Sequence, residues 1–172
     1  LKIGEDILFE SNAIAEFLDE TVSPRLHPED PIERARNRAW TDFVSSFARA
    51  LNGVYYTKTR EEMEDGLAKA PKTIERLEEA LTRQRVLNDG PYFNGPNLSL
   101  VDCAYAPFLQ RFLIADGYLR TDLLDNFPKV KKWADALLSN ETVIGAVAPE
   151  FLKEFEESLR RRKFYVASLL AN

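Results

Sequence analysis

The sequence predicts a mostly α protein: a short β-hairpin and one helix, followed by an all-helical bundle. Three observations predict this. Apolar and polar residues alternate only at the very start, where Leu1 and Ile3 precede Gly4-Glu5-Asp6 and Ile7 and Phe9 resume the pattern. From Asp30 onward the apolar residues instead recur three and four apart, the spacing of a helix face. Helix-start signals then punctuate the chain at Asp30-Pro31, at Ser99-Leu100-Val101-Asp102 and near Pro128.

Taken in order, Gly4-Glu5-Asp6 is the tight turn of the hairpin. Ser11 is the expected N-cap of the helix carrying Ile14, Phe17 and Leu18. Residues 21–29, with Pro24 and Pro28, read as a linker. Asp30-Pro31-Ile32-Glu33 opens a long helix with Ala35, Ala39, Phe43, Phe47 and Leu51 on one face. A further helical stretch runs from about Arg60 to Arg85 through Leu67, Ala70, Ile74, Leu77 and Leu81. Pro71 inside it predicts a kink or a restart. Residues 88–97 form a loop. Three more helices follow: one from Ser99 through Phe112, one carrying Val130, Trp133 and Leu137, and one carrying Phe151, Leu152, Phe155 and Leu159.

Composition narrows the function. The 172 residues are 45% hydrophobic and 30% charged, a globular balance. The net charge of -5 argues against a nucleic-acid partner, which needs concentrated Lys and Arg. Arg160-Arg161-Arg162-Lys163 is a short basic run among acids and reads as a solvated helix end. A single cysteine, Cys103, permits no intrachain disulfide and fits a reducing, cytoplasmic compartment. One His and one Cys cannot assemble a zinc site of the usual ligands. No apolar run reaches the ~20 residues of a membrane span.

Two motifs carry information. Glu10-Ser11 places an acid and a hydroxyl where a strand meets a helix. A helix N-terminus offers unpaired N–H groups and partial positive charge, so Ser11 can hold a carboxylate there while Glu10 holds an ammonium. Together they suit an α-amino-acid head group, although a serine at this position also serves simply as a cap. The second motif, Leu98-Ser99-Leu100-Val101-Asp102-Cys103-Ala104, is a capping box formed by Ser99 and Asp102. Leu98 and Cys103 stand at staple positions, which makes Cys103 a buried packing residue rather than a nucleophile.

These motifs resemble the cytosolic glutathione transferases, which carry a Glu-Ser pair before an Ala-Ile helix and a Ser-x-x-Asp box in an all-helical second domain. Leu26-His27-Pro28-Glu29-Asp30-Pro31 and Phe127-Pro128-Lys129-Val130-Lys131-Lys132-Trp133 extend the likeness over essentially the whole chain. The stretch from Asp89 to Phe108 looks most like the omega and lambda classes. The resemblance implies three parts: residues 1–20 as the last hairpin and helix of a thioredoxin-like α/β domain, 21–29 as linker, and 30–172 as the all-helical domain. It implies that Glu10 and Ser11 bind the ammonium and carboxylate of the γ-glutamyl end of glutathione, the cosubstrate. It places the family's cis-proline and its catalytic residue (Cys, Ser or Tyr) upstream of Leu1, so the natural protein is expected to be longer than 19.7 kDa.

The second substrate, hydrophobic or a disulfide, is expected between the domains. Trp40, Phe43, Phe47, Tyr55 and Tyr56 on the first long helix and Tyr105, Phe108 and Phe112 on the central one are the aromatic candidates. Trp40, Phe43, Tyr105 and Phe108 are the leading ones, although aromatics at helical spacing are more often core. His27, in its proline-flanked linker, reads as a surface residue; Arg111 either pairs with an acid or faces the cleft. The family usually dimerises through the first two long helices of this domain. A glutathione-dependent transferase, or thiol transferase, is the leading expectation. A non-catalytic interaction protein and a carrier without turnover are the alternatives.

Overall fold

The computed structural model describes residues 1–170. Strand β1 (Lys2–Ile3) pairs antiparallel with β2 (Asp6–Ile7), Lys2 opposite Ile7 and Ile3 opposite Asp6. The connection is therefore the two-residue loop Gly4-Glu5, with Asp6 already in the strand. Gly4 has φ +59, the positive value that tight hairpin turns demand and that glycine adopts without strain.

Helix α1 spans Ser11–Thr21 and α2 spans Pro31–Tyr55. The Asp30 carboxylate caps α2, accepting from the N–H groups of Ile32 (3.0 Å) and Glu33 (2.9 Å). The predicted stretch after Arg60 is two helices, α3 (Arg60–Lys69) and α4 (Pro71–Leu87). Pro71 restarts the helix because it lacks the N–H that would continue it. Helix α5 (Leu100–Leu119) runs through the centre and carries Pro107. A 3-10 turn at Leu123–Asn126, α6 (Pro128–Leu138), α7 (Glu141–Gly145), α8 (Phe151–Arg161) and a 3-10 turn at Tyr165–Leu169 complete the described chain.

The core is built from α2, α4, α5 and α6. Phe47, Leu51, Ile74, Leu77, Leu81, Tyr105, Leu109, Phe112, Trp133 and Leu137 have no more than traces of exposed surface. Apolar burial at these helix faces is the main stabilising term. None of residues 1–30 belongs to this cluster or packs against it as a partly buried apolar side chain.

The capping box forms as expected and does more than cap. The fully buried Asp102 carboxylate accepts from the Ser99 N–H (2.8 Å), the Ser99 hydroxyl (2.6 Å), the Phe93 N–H (2.9 Å) and the Trp133 indole N–H (2.6 Å). It thereby ties the 88–99 loop, α5 and α6 together. Ser99→Ala removes one of these donors and the cap, and is expected to lower folding stability by about 1–2 kcal/mol in thermal melts.

Three expectations are corrected. Ser11 is the first helical residue of α1, not its cap; Glu10 holds the cap position, with no side-chain cap bond. Cys103 is exposed rather than a buried staple partner, because the α5 turn that buries Val101, Asp102 and Tyr105 turns position 103 outward. His27 is buried, its ring nitrogen Nε2 2.7 Å from Glu16 Oε1.

Candidate functional site

Glu10 sits between strand and helix with φ 66 and ψ 121, a positive φ that non-glycine residues rarely adopt. Such strain costs of order 1–3 kcal/mol, and it concentrates at ligand sites. No side chain caps α1, and no acid lies in its first turn. The helix therefore presents unpaired N–H groups and partial positive charge beside the Glu10 carboxylate. Glu10, Ser11 and Asn12 are all exposed.

These residues form one wall of a cavity of about 490 Å³. Helix α2 contributes Thr41, Val44 and Ser45, and α5 contributes Leu100, Cys103, Ala104, Pro107 and Phe108. The structure thus joins Glu10, Ser11 and Phe108 at one cleft. One side is polar and hydrogen-bonding; the α5 side is largely apolar. That division suits a ligand with a zwitterionic end and an apolar reacting partner.

The other three aromatic candidates lie elsewhere. Trp40 meets Phe43 edge-on at 5.5 Å and Phe93 at 5.9 Å and does not line the cleft. Phe43 lies under the Arg76 guanidinium at 4.5 Å. Tyr105 is fully buried and donates its hydroxyl to the Trp40 carbonyl at 2.9 Å. Burial pushes its phenol well above the usual tyrosine range. Phe47, Tyr55 and Phe112 are core residues, and Tyr56 packs on Tyr55 and Phe164. Arg111 does neither thing expected of it: it donates to the Pro107 carbonyl at 2.9 Å and lies over the Phe151 ring at 5.3 Å.

Sequence reading missed Val44, Thr41, Ser45, Leu100, Ala104 and Pro107. A usable signal existed in α5. Leu100, Ala104, Pro107 and Phe108 form a second apolar stripe beside the Val101, Tyr105, Leu109 and Phe112 stripe. A helix apolar on two faces has to cover a second surface.

Cys103 lines the cleft without being primed for attack. Although its side chain reaches solvent, protein packed around the thiol partly desolvates it, and this first, then the neighbouring Asp102 charge, pushes it up from the ordinary range. The reactive form of cysteine is the thiolate, so at neutral pH this group is protonated.

The back of α1 is held by charge. Glu16 accepts from Arg38 at 2.6 and 3.0 Å and contacts His27 at 2.7 Å. Asp19, 8% exposed, accepts from the N–H groups of Leu26 (2.5 Å) and His27 (3.1 Å). The forked Arg38 contact, followed by His27, holds the Glu16 carboxyl below its ordinary range.

Comparison with known proteins bears on the family and the fold. The family model for the glutathione S-transferase C-terminal domain matches residues 60–136. Glutathione S-transferase U16 of Arabidopsis thaliana is 34% identical over 173 residues, covering 94% of this chain and 71% of the relative. Glutathione S-transferase omega-1 of Sus scrofa is 26% identical, covering 88% of this chain and 61% of the relative. Among solved structures, the Tau class glutathione S-transferase of mango (Mangifera indica) superposes with a TM-score of 0.71 at 23% identity, covering 88% of this chain and 71% of that one. A relative of this identity and coverage, with the matched family model and the shared fold beside it, leads to one conclusion: the chain belongs to the glutathione S-transferase family.

Proposed function

We propose that the cleft binds glutathione and presents it to an apolar or disulfide-bearing second substrate. Glu10 takes the γ-glutamyl ammonium, and the Ser11 hydroxyl and N–H take its carboxylate. The observation that carries the reading is the uncapped start of α1: unpaired N–H groups next to a carboxylate held in strained backbone. A head group bearing both charges on one carbon matches that pair. Phe108, with Pro107, Leu100 and Val44, forms the apolar wall for the second substrate.

In this reading residues 1–20 belong to the glutathione-binding domain, 21–29 link it, and 30–172 form the helical domain. In this reading the group that activates the thiol is supplied from outside residues 1–172, as the family resemblance implies. Relatives named glutathione S-transferase U16 and glutathione S-transferase omega-1 both match, and the reading leaves conjugation and thiol exchange both open to it. A cytoplasmic homodimer joined through α2 and the α3–α4 pair is the assembly proposed.

The test is calorimetry with glutathione on the protein and two variants. Charge-assisted hydrogen bonds contribute ~1.5–3 kcal/mol, so Glu10→Gln and Ser11→Ala are each expected to weaken binding roughly tenfold or more. Because Ser11 makes no cap bond, Ser11→Ala is expected to leave the melting temperature nearly unchanged. Unchanged affinity in both variants overturns the site assignment. Binding without glutathione-dependent turnover would make the protein a carrier.

A further inference from the structure

We infer that Glu16 and Arg38 are positioning residues: their ion pair sets the distance between the two walls of the cleft. The inference rests on the cleft proposed above, and its test is separate.

Helix α1 carries Glu10 and Ser11, and its placement over α5 determines how wide the cleft is. The apolar core does not extend to it, and its apolar residues Ile14, Ala15 and Phe17 are only partly buried. None of residues 1–30 contributes an apolar side chain to the core cluster, and Asp19 is the only buried residue in α1. The described contacts from α1 to α2 are polar. Glu16 bonds Arg38 through two donors, Arg38 Nη2 also lies 3.8 Å from Glu20, and Asn12 reaches Asp42 at 3.5 Å. The last is at the limit of a hydrogen bond, which leaves the Glu16–Arg38 fork as the main tie.

Glu16 is suited to transmit this hold. It lines the cleft with Glu10 and Ser11, and also a recess of about 470 Å³ on its other side with Arg25, Arg34 and Arg38. Its second oxygen meets His27, whose backbone N–H is fixed by Asp19. Linker, α1 and α2 therefore converge on one carboxylate. With Nε2 engaged by Glu16, His27 Nδ1 is left buried without a hydrogen-bond partner. A contact of this kind is strong enough to orient a helix, yet half-exposed Arg38 leaves it open to screening by salt.

Cys103 supplies a native reporter, because it lies on the α5 wall facing α1 and is the only cysteine in the chain. The experiment measures the labelling rate of Cys103 by a bulky maleimide in the full chain, with thermal melts alongside. Glu16→Gln and Arg38→Gln are expected to raise the rate roughly two- to fivefold while moving the melting temperature little. Arg38→Lys, which keeps the charge but loses the fork, is expected to fall between. Added salt is expected to speed labelling of the parent chain and to have little further effect on the Gln variants. Rates equal to the parent in both Gln variants overturn the inference. So does a rise that tracks loss of melting temperature, with no salt dependence, since that is a merely structural role. Labelling that responds as expected while Glu10→Gln leaves glutathione affinity untouched keeps the clasp and discards the ligand reading.

Discussion

Asp102→Asn is expected to lower folding stability by about 4 kcal/mol or more, placing it among the most damaging single changes available to this chain. The side chain keeps its size, so the loss is electrostatic. Oδ1 serves Phe93 and Trp133; Oδ2 serves both donors of Ser99. An amide must turn its NH₂ toward one pair, setting donors against donors in a site with no water-exposed surface. Arg85, which pins the neighbouring loop by donating to the Asn88 side chain and the Pro91 and Tyr92 carbonyls, also loses its favourable interaction with the carboxylate. For a chain of this size each kcal/mol shifts the melting temperature by about 2–4 °C, so a fall of roughly 10 °C is expected. Differential scanning calorimetry checks it, and a fall under about 3 °C would mean the network is dispensable. Near-ultraviolet circular dichroism should report Trp133 loosening at the same time.

The second large effect is a contrast of sign at one helix crossing. A Cβ on Gly66 would lie 2.0 Å from the Gly53 carbonyl oxygen and 2.6 Å from its carbon. Helices α2 and α3 touch backbone to backbone there, and neither backbone can swing aside as a side chain would. Gly66→Ala must push the helices apart, at about 3 kcal/mol, partly offset by ~1 kcal/mol of better helix propensity. A Cβ on Gly53 meets nothing within 4 Å. Gly53→Ala therefore gains the propensity alone, about 1 kcal/mol. Thermal melts should show Gly66→Ala falling and Gly53→Ala rising; two shifts of the same sign would refute the crossing.

The helices were legible because their signals are local. Asp30-Pro31 and Ser99-x-x-Asp102 place caps and first turns within four residues of each other, and both formed. The Glu10-Ser11 pair was legible as chemistry for the same reason, since it lies at a junction marked by the change from alternation to helical spacing. The cap itself was misassigned by one residue. Ser11 is chemically the better cap, but Glu10 takes that position in a strained conformation that propensity cannot anticipate.

Long-range placement was not legible. Trp40, Phe43 and Tyr105 share the helical spacing of Phe108, yet only Phe108 faces the cleft. Which stripe of α5 turns toward α2 and α6, and which toward α1, depends on how the helices cross, and one helix's periodicity cannot state that. Likewise, nothing in the composition of the linker or of α2 placed His27 and Arg38, 11 and 22 residues from Glu16, on its carboxylate. The amino-acid sequence determined which segments are helical, where most of them start and that an acid and a hydroxyl stand side by side where strand gives way to helix. The tertiary structure alone decided which aromatics are core, that Cys103 faces the cleft, and what holds α1 over α5. The physical reason is range: caps and turns act within a few residues, whereas a cleft exists only once separate helices have packed.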